Sequence, residues 1–450
     1  MNFNSVEFLF FLLPLTLVAF YLAPPVLRVP ILILASFIFY GRSSSVHLIF
    51  MMLTIVWAFA LGFLVAVNRR VWTLVLGISL PLAILYAAKY LNFTLNVVDA
   101  SQQTRDAFFL VLSISLPAGI SFYTFEVVSY LIDIRDGKID RDANLARFAL
   151  FVSFFPHLIA GPILRYHELR DQITHVAQSK QLTPDLAKGA KFLSVGLFAK
   201  IFLSDVPLSF HDLFKLEANT SSLDALYSVL VYSFVIYYDF WAYSLIAIGL
   251  AKFFNIDLPR NFLEPYNSRS PREFWRRWHV TLSYWLRDYV YLKLGGNHKY
   301  VRNIAIVFVA CGIWHGAGWN FMVWGAYHAL LVIGYHFASP LWDRLPGTVQ
   351  IALTFILVTL GWPLFYLDLS SFWLLIHNMS ALDMAPQVFG ARHWIYLGVI
   401  AAWTFLVRED VWLWNERPRF LADSAIAQGG VLFLAVVFFS YGRTFIYFRF

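Results

Sequence analysis

The residues best suited to chemistry in this chain are two histidines that lie within apolar sequence. His315 occupies the segment Cys311-Gly-Ile-Trp-His-Gly-Ala-Gly-Trp319, where three glycines allow a backbone or a ligand to approach closely. His279 ends the run Phe274-Trp-Arg-Arg-Trp-His279, 36 positions before His315. That separation is enough for a turn and one crossing segment, so we expect the two imidazoles to meet in one cavity.

An imidazole in such a cavity is suited to general-base catalysis, because its ordinary pKa of about 6.5 lets the neutral ring accept a proton near neutral pH. Transfer of an acyl group from a thioester to a hydroxyl needs such a base, and we expect His315 to supply it. Either His279 or Asp239 then orients the ring of His315, or His279 stabilises the developing oxyanion. Asp239 has the alternative of a purely structural polar contact between helices.

Two further residues near His315 have competing interpretations. Cys311 lies one helical turn before His315, which allows a Cys–His nucleophile pair, but a single Cys in an apolar helix is usually an inert packing residue. For His328, in Trp324-Gly-Ala-Tyr-His328, we expect an interhelical hydrogen bond. No His-x-x-x-His pair is present, so we expect no metal site.

The most basic segment of the chain runs from Arg260 to Arg287. It alternates aromatic residues with six arginines and three acids, namely Arg260, Arg269, Arg272, Arg276, Arg277, Arg287, Glu264, Glu273 and Asp288. The positive-inside rule places such a segment on the cytoplasmic side of a membrane. Arg272, Arg276 and Arg277 either hold the phosphates of coenzyme A or serve topology alone. In the first case an aromatic residue such as Trp278 supports the adenine.

The composition excludes a water-soluble globule. Of the 450 residues, 60% are hydrophobic and only 14% are charged, whereas soluble domains are about 25% charged. The net charge is +7, but the charges lie in short loops between apolar runs, which excludes a basic nucleic-acid-binding domain. The single cysteine excludes internal disulfides.

The apolar runs predict an all-α polytopic membrane protein with roughly 11 to 13 membrane segments, folded as one domain over residues 1–450. The clearest runs are Val6–Ala23, which we expect to be a permanent span, and Val46–Val67, Val71–Ala88, Leu145–Leu164, Leu223–Leu250, Trp319–Phe337, Ile351–Tyr366, Trp394–Val407 and Val431–Tyr441. Val29–Tyr40 is short, and Ala107–Ile134 is too long for one helix and contains Pro117 and Gly119. Tilted or re-entrant helices and an internal cavity are therefore expected.

Several motifs together resemble the membrane-bound O-acyltransferase family, and more narrowly its bacterial alginate O-acetylation branch. They are Ser270-Pro-Arg-Glu-Phe-Trp-Arg-Arg-Trp-His279, Leu286-Arg-Asp-Tyr-Val-Tyr-Leu292 with Leu294-Gly-Gly-Asn297, Trp314-His-Gly-Ala-Gly-Trp319, Gly119-Ile-Ser-Phe-Tyr-Thr-Phe125 and Ala160-Gly-Pro-Ile-Leu-Arg-Tyr166. The likeness covers essentially the whole chain. It implies that His315 is the catalytic histidine and that His279 is the family's upstream histidine. It also implies a ring of tilted helices around a central tunnel.

The resemblance further implies an O-acetyltransferase of the bacterial inner membrane. Such an enzyme takes acetyl from cytoplasmic acetyl-CoA, with no permanently bound cofactor. It passes the acetyl group towards alginate, cellulose or peptidoglycan outside, together with a separate extracytoplasmic transferase. Two alternatives remain open. One is D-alanyl transfer to teichoic acid from a carrier-protein thioester, and the other is a transporter or flippase, although the internal repeats common in transporters are missing.

Two segments add expectations of their own. Where relatives have Asp-Phe-Ser-Gly-Tyr-Ser-Asp, this chain has Asp239-Phe-Trp-Ala-Tyr-Ser-Leu245, which changes the local packing. The chain ends Phe445-Ile-Tyr-Phe-Arg-Phe450 and resembles the terminal Phe-x-Tyr-x-x-Phe pattern of the partner peptide in teichoic acid D-alanylation. Tyr447 is then either an acyl relay or a residue of the interfacial aromatic belt beside Arg449.

Overall fold

The fold was analysed in a computed structural model, which describes residues 1–183, 185–209, 220–383, 385, 388–414 and 429–430. These residues form helices and connecting segments, and no strand occurs among them, which confirms the all-α prediction. The chain divides into two compact units, Met1–Leu193 with Ser244–Pro259, and Ser194–Tyr243 with Arg260–Phe450. The single domain predicted for residues 1–450 stays a prediction.

Five helical segments of the described residues are long and apolar enough to cross a membrane: Ser45–Val67, Val71–Val97, Ser222–Lys252, Trp319–Trp342 and Gly347–Tyr366. Each coincides with an apolar run predicted from the sequence, and two shorter apolar helices, Glu7–Leu22 and Pro25–Gly41, also match predicted runs. The most apolar part of Ser222–Lys252 is completely buried, whereas that of Ser45–Val67 is 33% buried. The protein is therefore a multi-pass membrane protein in which Ser222–Lys252 is a core helix.

The α-helices before Ala199 are α1 (Leu13–Leu22), α2 (Pro25–Gly41), α3 (Ser45–Val67), α4 (Val71–Leu85), α5 (Leu91–Val97), α6 (Gln102–Ala107), α7 (Phe109–Leu112), α8 (Ile120–Arg135), α9 (Leu145–Ser153), α10 (Phe155–Leu158), α11 (Tyr166–Gln178) and α12 (Leu186–Phe198). In the first unit, α2 packs on α9 and α11, and α3 packs on α4 and α8. The buried carboxylate of Glu126 lies 3.1 Å from Nδ1 of His157 within this unit. This polar pair therefore joins α8 to α10.

The helix breaks in the first unit have identifiable causes. The single span predicted for Leu145–Leu164 is wrong, because α9 ends at Ser153 and the chain turns at Phe154. Pro156 has no N–H to continue the hydrogen-bond ladder of α9. The predicted break in Ala107–Ile134 is confirmed at Gly119, which has φ of 74°. A Cβ at that position would lie 2.3 Å from the carbonyl oxygen of Leu158.

The α-helices after Asp205 are α13 (Val206–Ser209), α14 (Ser222–Lys252), α15 (Pro271–Arg277), α16 (Val280–Leu286), α17 (Tyr300–His315), α18 (Trp319–Trp342), α19 (Gly347–Gly361), α20 (Pro363–Tyr366), α21 (Leu369–Ser380), α22 (Ala391–Leu406) and α23 (Glu409–Trp412). In the described part of the chain, four π-helical segments interrupt or extend the α-helices, namely Glu7–Leu12, Tyr86–Tyr90, Ala199–Asp205 and Arg287–Tyr291. Such π segments occur frequently at functional sites. The larger number of membrane segments and the ring around a tunnel stay predictions.

Candidate active site

The turn that carries His279 connects two short helices of the second unit. The side chain of Ser270 accepts a hydrogen bond from the N–H of Glu273 and caps α15, and Pro271 occupies the first turn. After α15 ends, His279 has a left-handed backbone with φ of 41° and ψ of 57°. This conformation is uncommon for a residue with a side chain. The turn thus directs a buried imidazole, 1% exposed, into the interior of the unit.

The ring of His279 has both polar and aromatic contacts. Its Nδ1 lies 3.1 Å from Oδ1 of Asn261. The ring of Phe240, on α14, meets the imidazole edge-on with 4.7 Å between the ring centroids. The indole of Trp314 lies 6.0 Å away by the same measure. These contacts fix the position of the imidazole within the unit.

His315 is the last residue of α17 and is 3% exposed. Three aromatic rings surround its imidazole, with ring centroids 4.9 Å away at Trp314, 5.1 Å at Trp324 and 5.0 Å at Phe365. The neighbouring Gly316 has no room for a side chain, because a Cβ there would lie 2.0 Å from the ring of Phe321. The predicted close approach around His315 is confirmed.

Both histidines contact the same residue, Trp314, so the fold brings together the two imidazoles that the sequence placed 36 positions apart. The expectation that they share one cavity is met only in part. Neither ring forms part of the wall of the large cavity in this unit. Aromatic side chains pack around both rings, namely Phe240 and Trp314 at His279, and Trp314, Trp324 and Phe365 at His315.

The large cavity has a volume of about 650 Å³. Its polar lining residues are Arg272, Arg276, Ser283, Arg287, Tyr291, Asn297, Tyr300 and His336, and its less polar lining residues are Trp275, Leu282, Leu286, Ile304, Val307, Phe308, Cys311 and Val332. Cys311 lies on α17 one turn before His315, so one lining residue of the cavity is close to the predicted base. The cavity predicted from the broken helices is therefore present in the second unit.

The structure separates the residues that were predicted to bind the donor. Arg272 and Arg276 line the cavity. Arg277 does not, and it pairs instead with Glu273 at 2.6 Å. Trp278 is 1% exposed and packs on other aromatic rings, among them Phe274 at 5.5 Å between centroids. Arg277 and Trp278 are therefore not among the residues that line the cavity.

Arg287 lines the cavity but was not among the donor residues predicted from the sequence. It lies at the start of the π-helical segment Arg287–Tyr291, which also carries the cavity residue Tyr291. Its guanidinium donates hydrogen bonds to the carboxylate of Asp288, and these bonds raise the pKa of Arg287. The sequence signal that could have identified Arg287 is its position in the Leu286–Leu292 motif.

Asp239 lies in a buried polar cluster. Its Oδ1 lies 2.7 Å from Nζ of Lys200 and 3.1 Å from Oγ of Ser204. Lys200 also contacts the carboxylate of Asp205 at 2.7 Å. These contacts favour the structural alternative for Asp239, and a direct role in orienting a histidine stays a prediction. Lys200 was missed, although a charge inside the apolar run Phe198–Phe202 is a signal for such a cluster.

The expectation of an interhelical hydrogen bond for His328 is wrong, since neither of its ring nitrogens has a hydrogen-bond partner within the described part of the chain. Aromatic side chains occupy the space around the ring instead. The ring centroids of Trp275 and Trp324 lie 5.0 and 4.8 Å from that of His328. Tyr447 lies outside the described residues, and so does the predicted run Val431–Tyr441.

Comparisons with known proteins agree with the resemblance. The model of MBOAT, the membrane-bound O-acyltransferase family, matches residues 84–372, a range that includes both histidines. The probable alginate O-acetylase of Pseudomonas aeruginosa is 37% identical over 380 residues, which cover 81% of this chain and 72% of that protein. The peptidoglycan O-acetyltransferase of Helicobacter pylori is 32% identical over 407 residues, covering 81% and 76%.

A third similar protein has a different named activity. The teichoic acid D-alanyltransferase of Bacillus subtilis is 30% identical over 269 residues, which cover 55% of this chain and 68% of that protein. All three relatives are named for the transfer of an acyl group, which sets aside the transporter alternative. The chain therefore belongs to the membrane-bound O-acyltransferase family, in its alginate O-acetylation-like branch, and is a membrane O-acyltransferase.

Proposed function

We propose that the protein transfers acetyl from cytoplasmic acetyl-CoA to hydroxyls of an extracytoplasmic polysaccharide, in a bacterial inner membrane, with His315 as the general base. The observation that carries this proposal is the arginine-lined cavity that also has Cys311 in its lining, one helical turn before His315. The polysaccharide acceptor is supported by the relatives named for alginate and peptidoglycan O-acetylation. Alginate is the first candidate, because the relatives named for it have the higher identity.

The lining of the cavity has both cationic and apolar residues, and acetyl-CoA has both phosphates and an apolar arm. Arg272, Arg276 and Arg287 offer guanidinium groups, which bind phosphates through charge-assisted hydrogen bonds. The guanidinium of Arg272 also lies 5.2 Å from the ring centroid of Tyr335, and its Nη2 lies 3.2 Å from Nδ1 of His336. These contacts hold the guanidinium of Arg272 in a fixed orientation. The apolar lining residues suit the pantetheine arm and the acetyl group.

The proposed transfer needs no reactant besides the thioester and the acceptor hydroxyl. The acceptor oxygen attacks the thioester carbonyl carbon while His315 takes the hydroxyl proton. The carbon–sulfur bond then breaks, and the proton held by His315 returns to the departing coenzyme A sulfur. A separate extracytoplasmic transferase receives or delivers the acetyl group, and Tyr447 as its relay stays a prediction. D-alanyl transfer is less favoured, because that relative matches only 55% of this chain.

The donor site can be tested with the chain's own cysteine, since Cys311 is its single thiol and lines the cavity. Cys311 is only 2% exposed, so a small maleimide should label it slowly in detergent-solubilised protein. We expect coenzyme A to slow this labelling further, because an occupied cavity blocks access to the sulfur. Labelling followed by intact-protein mass spectrometry measures the rate. An equal concentration of adenine is the control ligand, and unchanged labelling at saturating coenzyme A would place the donor elsewhere.

The cavity arginines are expected to act on donor affinity more than on chemistry. Arg276→Gln together with Arg287→Gln should raise KM for acetyl-CoA about 10-fold or more, because each lost charge-assisted hydrogen bond costs roughly 1.5–3 kcal/mol. The change in kcat should be smaller. Arg277→Gln is the matched control, since Arg277 pairs with Glu273 away from the cavity and should leave KM near the wild-type value. Equal KM changes in both variants would contradict the assignment.

The acceptor is tested by comparing surface polymers of a deletion strain with those of the same strain complemented by the wild-type gene. We expect mass spectrometry to show loss of acetyl esters from one polysaccharide, with recovery on complementation. Complementation by His315→Ala should not restore the esters, because the enzyme is then without its catalytic base. A polymer that loses D-alanyl esters instead would replace acetyl transfer with the teichoic acid reaction.

A further inference from the structure

We propose that Asn261 is a positioning residue that holds His279 as the tautomer protonated on Nδ1, so that Nε2 of His279 serves as a proton acceptor during acyl transfer. The acceptor role rests on the proposed function, whereas the tautomer does not. Asn261 is 1% exposed and lies 18 positions before His279, in the loop that precedes α15. Its side chain is therefore shielded from water where it meets the imidazole.

The orientation of the Asn261 amide follows from its other neighbours. The backbone N–H of Thr281 lies 3.3 Å from Oδ1 of Asn261, and the hydroxyl of Thr281 lies 3.0 Å from the same atom. A backbone N–H can only donate a hydrogen bond, so the amide atom that faces it must be the carbonyl oxygen. The opposite orientation would place the amide NH₂ group against the N–H of Thr281.

The orientation of the amide determines the tautomer of the ring. Nδ1 of His279 lies 3.1 Å from the oxygen of Asn261, which can only accept. Nδ1 must then carry the proton. A neutral imidazole has one N–H and one lone pair, so the lone pair belongs to Nε2. The aromatic neighbours Phe240 and Trp314 carry no charge and do not oppose this assignment.

Asn261 is rigidly placed because it also caps a helix. His279 precedes α16 and makes no side-chain capping bond of its own. The backbone oxygen of Asn261 accepts the N–H of Val280 at 2.9 Å, and its side chain accepts the N–H of Thr281. Asn261 thus satisfies two of the first N–H groups of α16, which otherwise have no intrahelical partner. The same residue fixes the start of the helix and the imidazole beside it.

The tautomer chooses between the two roles that the sequence left open for His279. A neutral ring with its lone pair on Nε2 accepts a proton or hydrogen bond there and does not donate one to an oxyanion. In the proposed reaction, the acceptor hydroxyl and the imidazole N–H of His315 are the two groups that we expect to donate to Nε2. The geometry therefore favours His279 as the residue that orients His315 or assists it in proton transfer, over oxyanion stabilisation.

The link between Asn261 and His279 can be tested by adding charge without removing the acceptor. Asn261→Asp retains an oxygen for all three donors, but its carboxylate stabilises the imidazolium form of His279. We expect the low-pH limb of the rate profile to move to higher pH by about one to three units, the range typical for an adjacent opposite charge. Thr281→Val removes one bond to the same oxygen and is the control, with the limb at its wild-type position. If the low-pH limb of the rate profile lay at the same pH in Asn261→Asp and in wild type, the positioning role would be overturned.

A spectroscopic measurement separates this inference from the proposed function. In protein labelled with ¹⁵N-histidine, the His279 signals are identified by their loss in His279→Gln. We expect ¹⁵N shifts of a neutral ring protonated on Nδ1, and a change of tautomer population in Asn261→Ala. A ring protonated on Nε2 would overturn the inference whatever the activity. Failure of the proposed function appears differently, as absence of acetyl transfer by wild-type protein.

Discussion

His315→Ala is expected to lower the rate of acetyl transfer about 100-fold or more, because loss of a general base typically costs that much. The variant should still fold, since His315 is one ring at the end of α17 and its aromatic neighbours Trp324 and Phe365 also contact each other. The rate with saturating acetyl-CoA and acceptor measures the first effect. Size-exclusion chromatography in detergent measures the second.

The matched control is His393→Ala, which truncates another buried histidine of the same unit. His393 is 5% exposed on α22 and contacts Tyr227 and Phe389. It should lose stability comparable to that of His315→Ala but retain most of the activity. More than about a tenth of wild-type activity in folded His315→Ala would remove this residue from the base role.

Lys200→Met is expected to lower the free energy of unfolding by about 3–5 kcal/mol, the range observed when one partner of a buried ion pair is removed. The side chains of Lys200, Asp205 and Asp239 are at most 1% exposed. Lys200 and Asp205 are five residues apart in the π-helical segment Ala199–Asp205, whose i→i+5 hydrogen bonds place such residues above each other. Without the ammonium group, the two acids lose their shared cation. Thermal unfolding in detergent measures the loss.

Lys188→Met provides the comparison for an exposed pair. Lys188 lies 3.6 Å from Asp185, and the two side chains are 54% and 38% exposed. Solvent screens such pairs, so the expected change is below about 1 kcal/mol. If both methionine variants unfolded at the same temperature, the cluster around Lys200 would not stabilise the fold in this way.

The sequence by itself determined the properties that depend on local composition. Apolar runs longer than about 18 residues have few soluble alternatives, so the membrane class and the five long spans followed directly. Gly119 marked a break because its positive φ is a local requirement. The motifs around His279 and His315 identified the family and the two histidines, because the family likeness is carried by the order of residues along the chain.

Only the tertiary structure decided which residues share a surface. Arg272 and Arg276 are four positions apart on α15 and face the cavity, whereas Arg277 is one position further and points to Glu273. Periodicity groups the first two arginines, but it does not reveal which face of the helix meets the cavity. For the same reason, the sequence did not reveal that Arg287 lines the cavity. The fold of the π-helical segment Arg287–Tyr291 decides which way this residue faces.

Contacts between distant parts of the chain were also beyond the sequence. Asn261 reaches His279 across 18 positions, and Lys200 reaches Asp239 across 39. A buried hydrogen bond or ion pair depends on distances of about 3 Å between atoms, and no spacing rule fixes such distances between separate elements. The sequence therefore pointed to the imidazole that we propose as the base. The packing of α14, α15 and α16 decided how the second imidazole is held and which of its nitrogens is free of the proton.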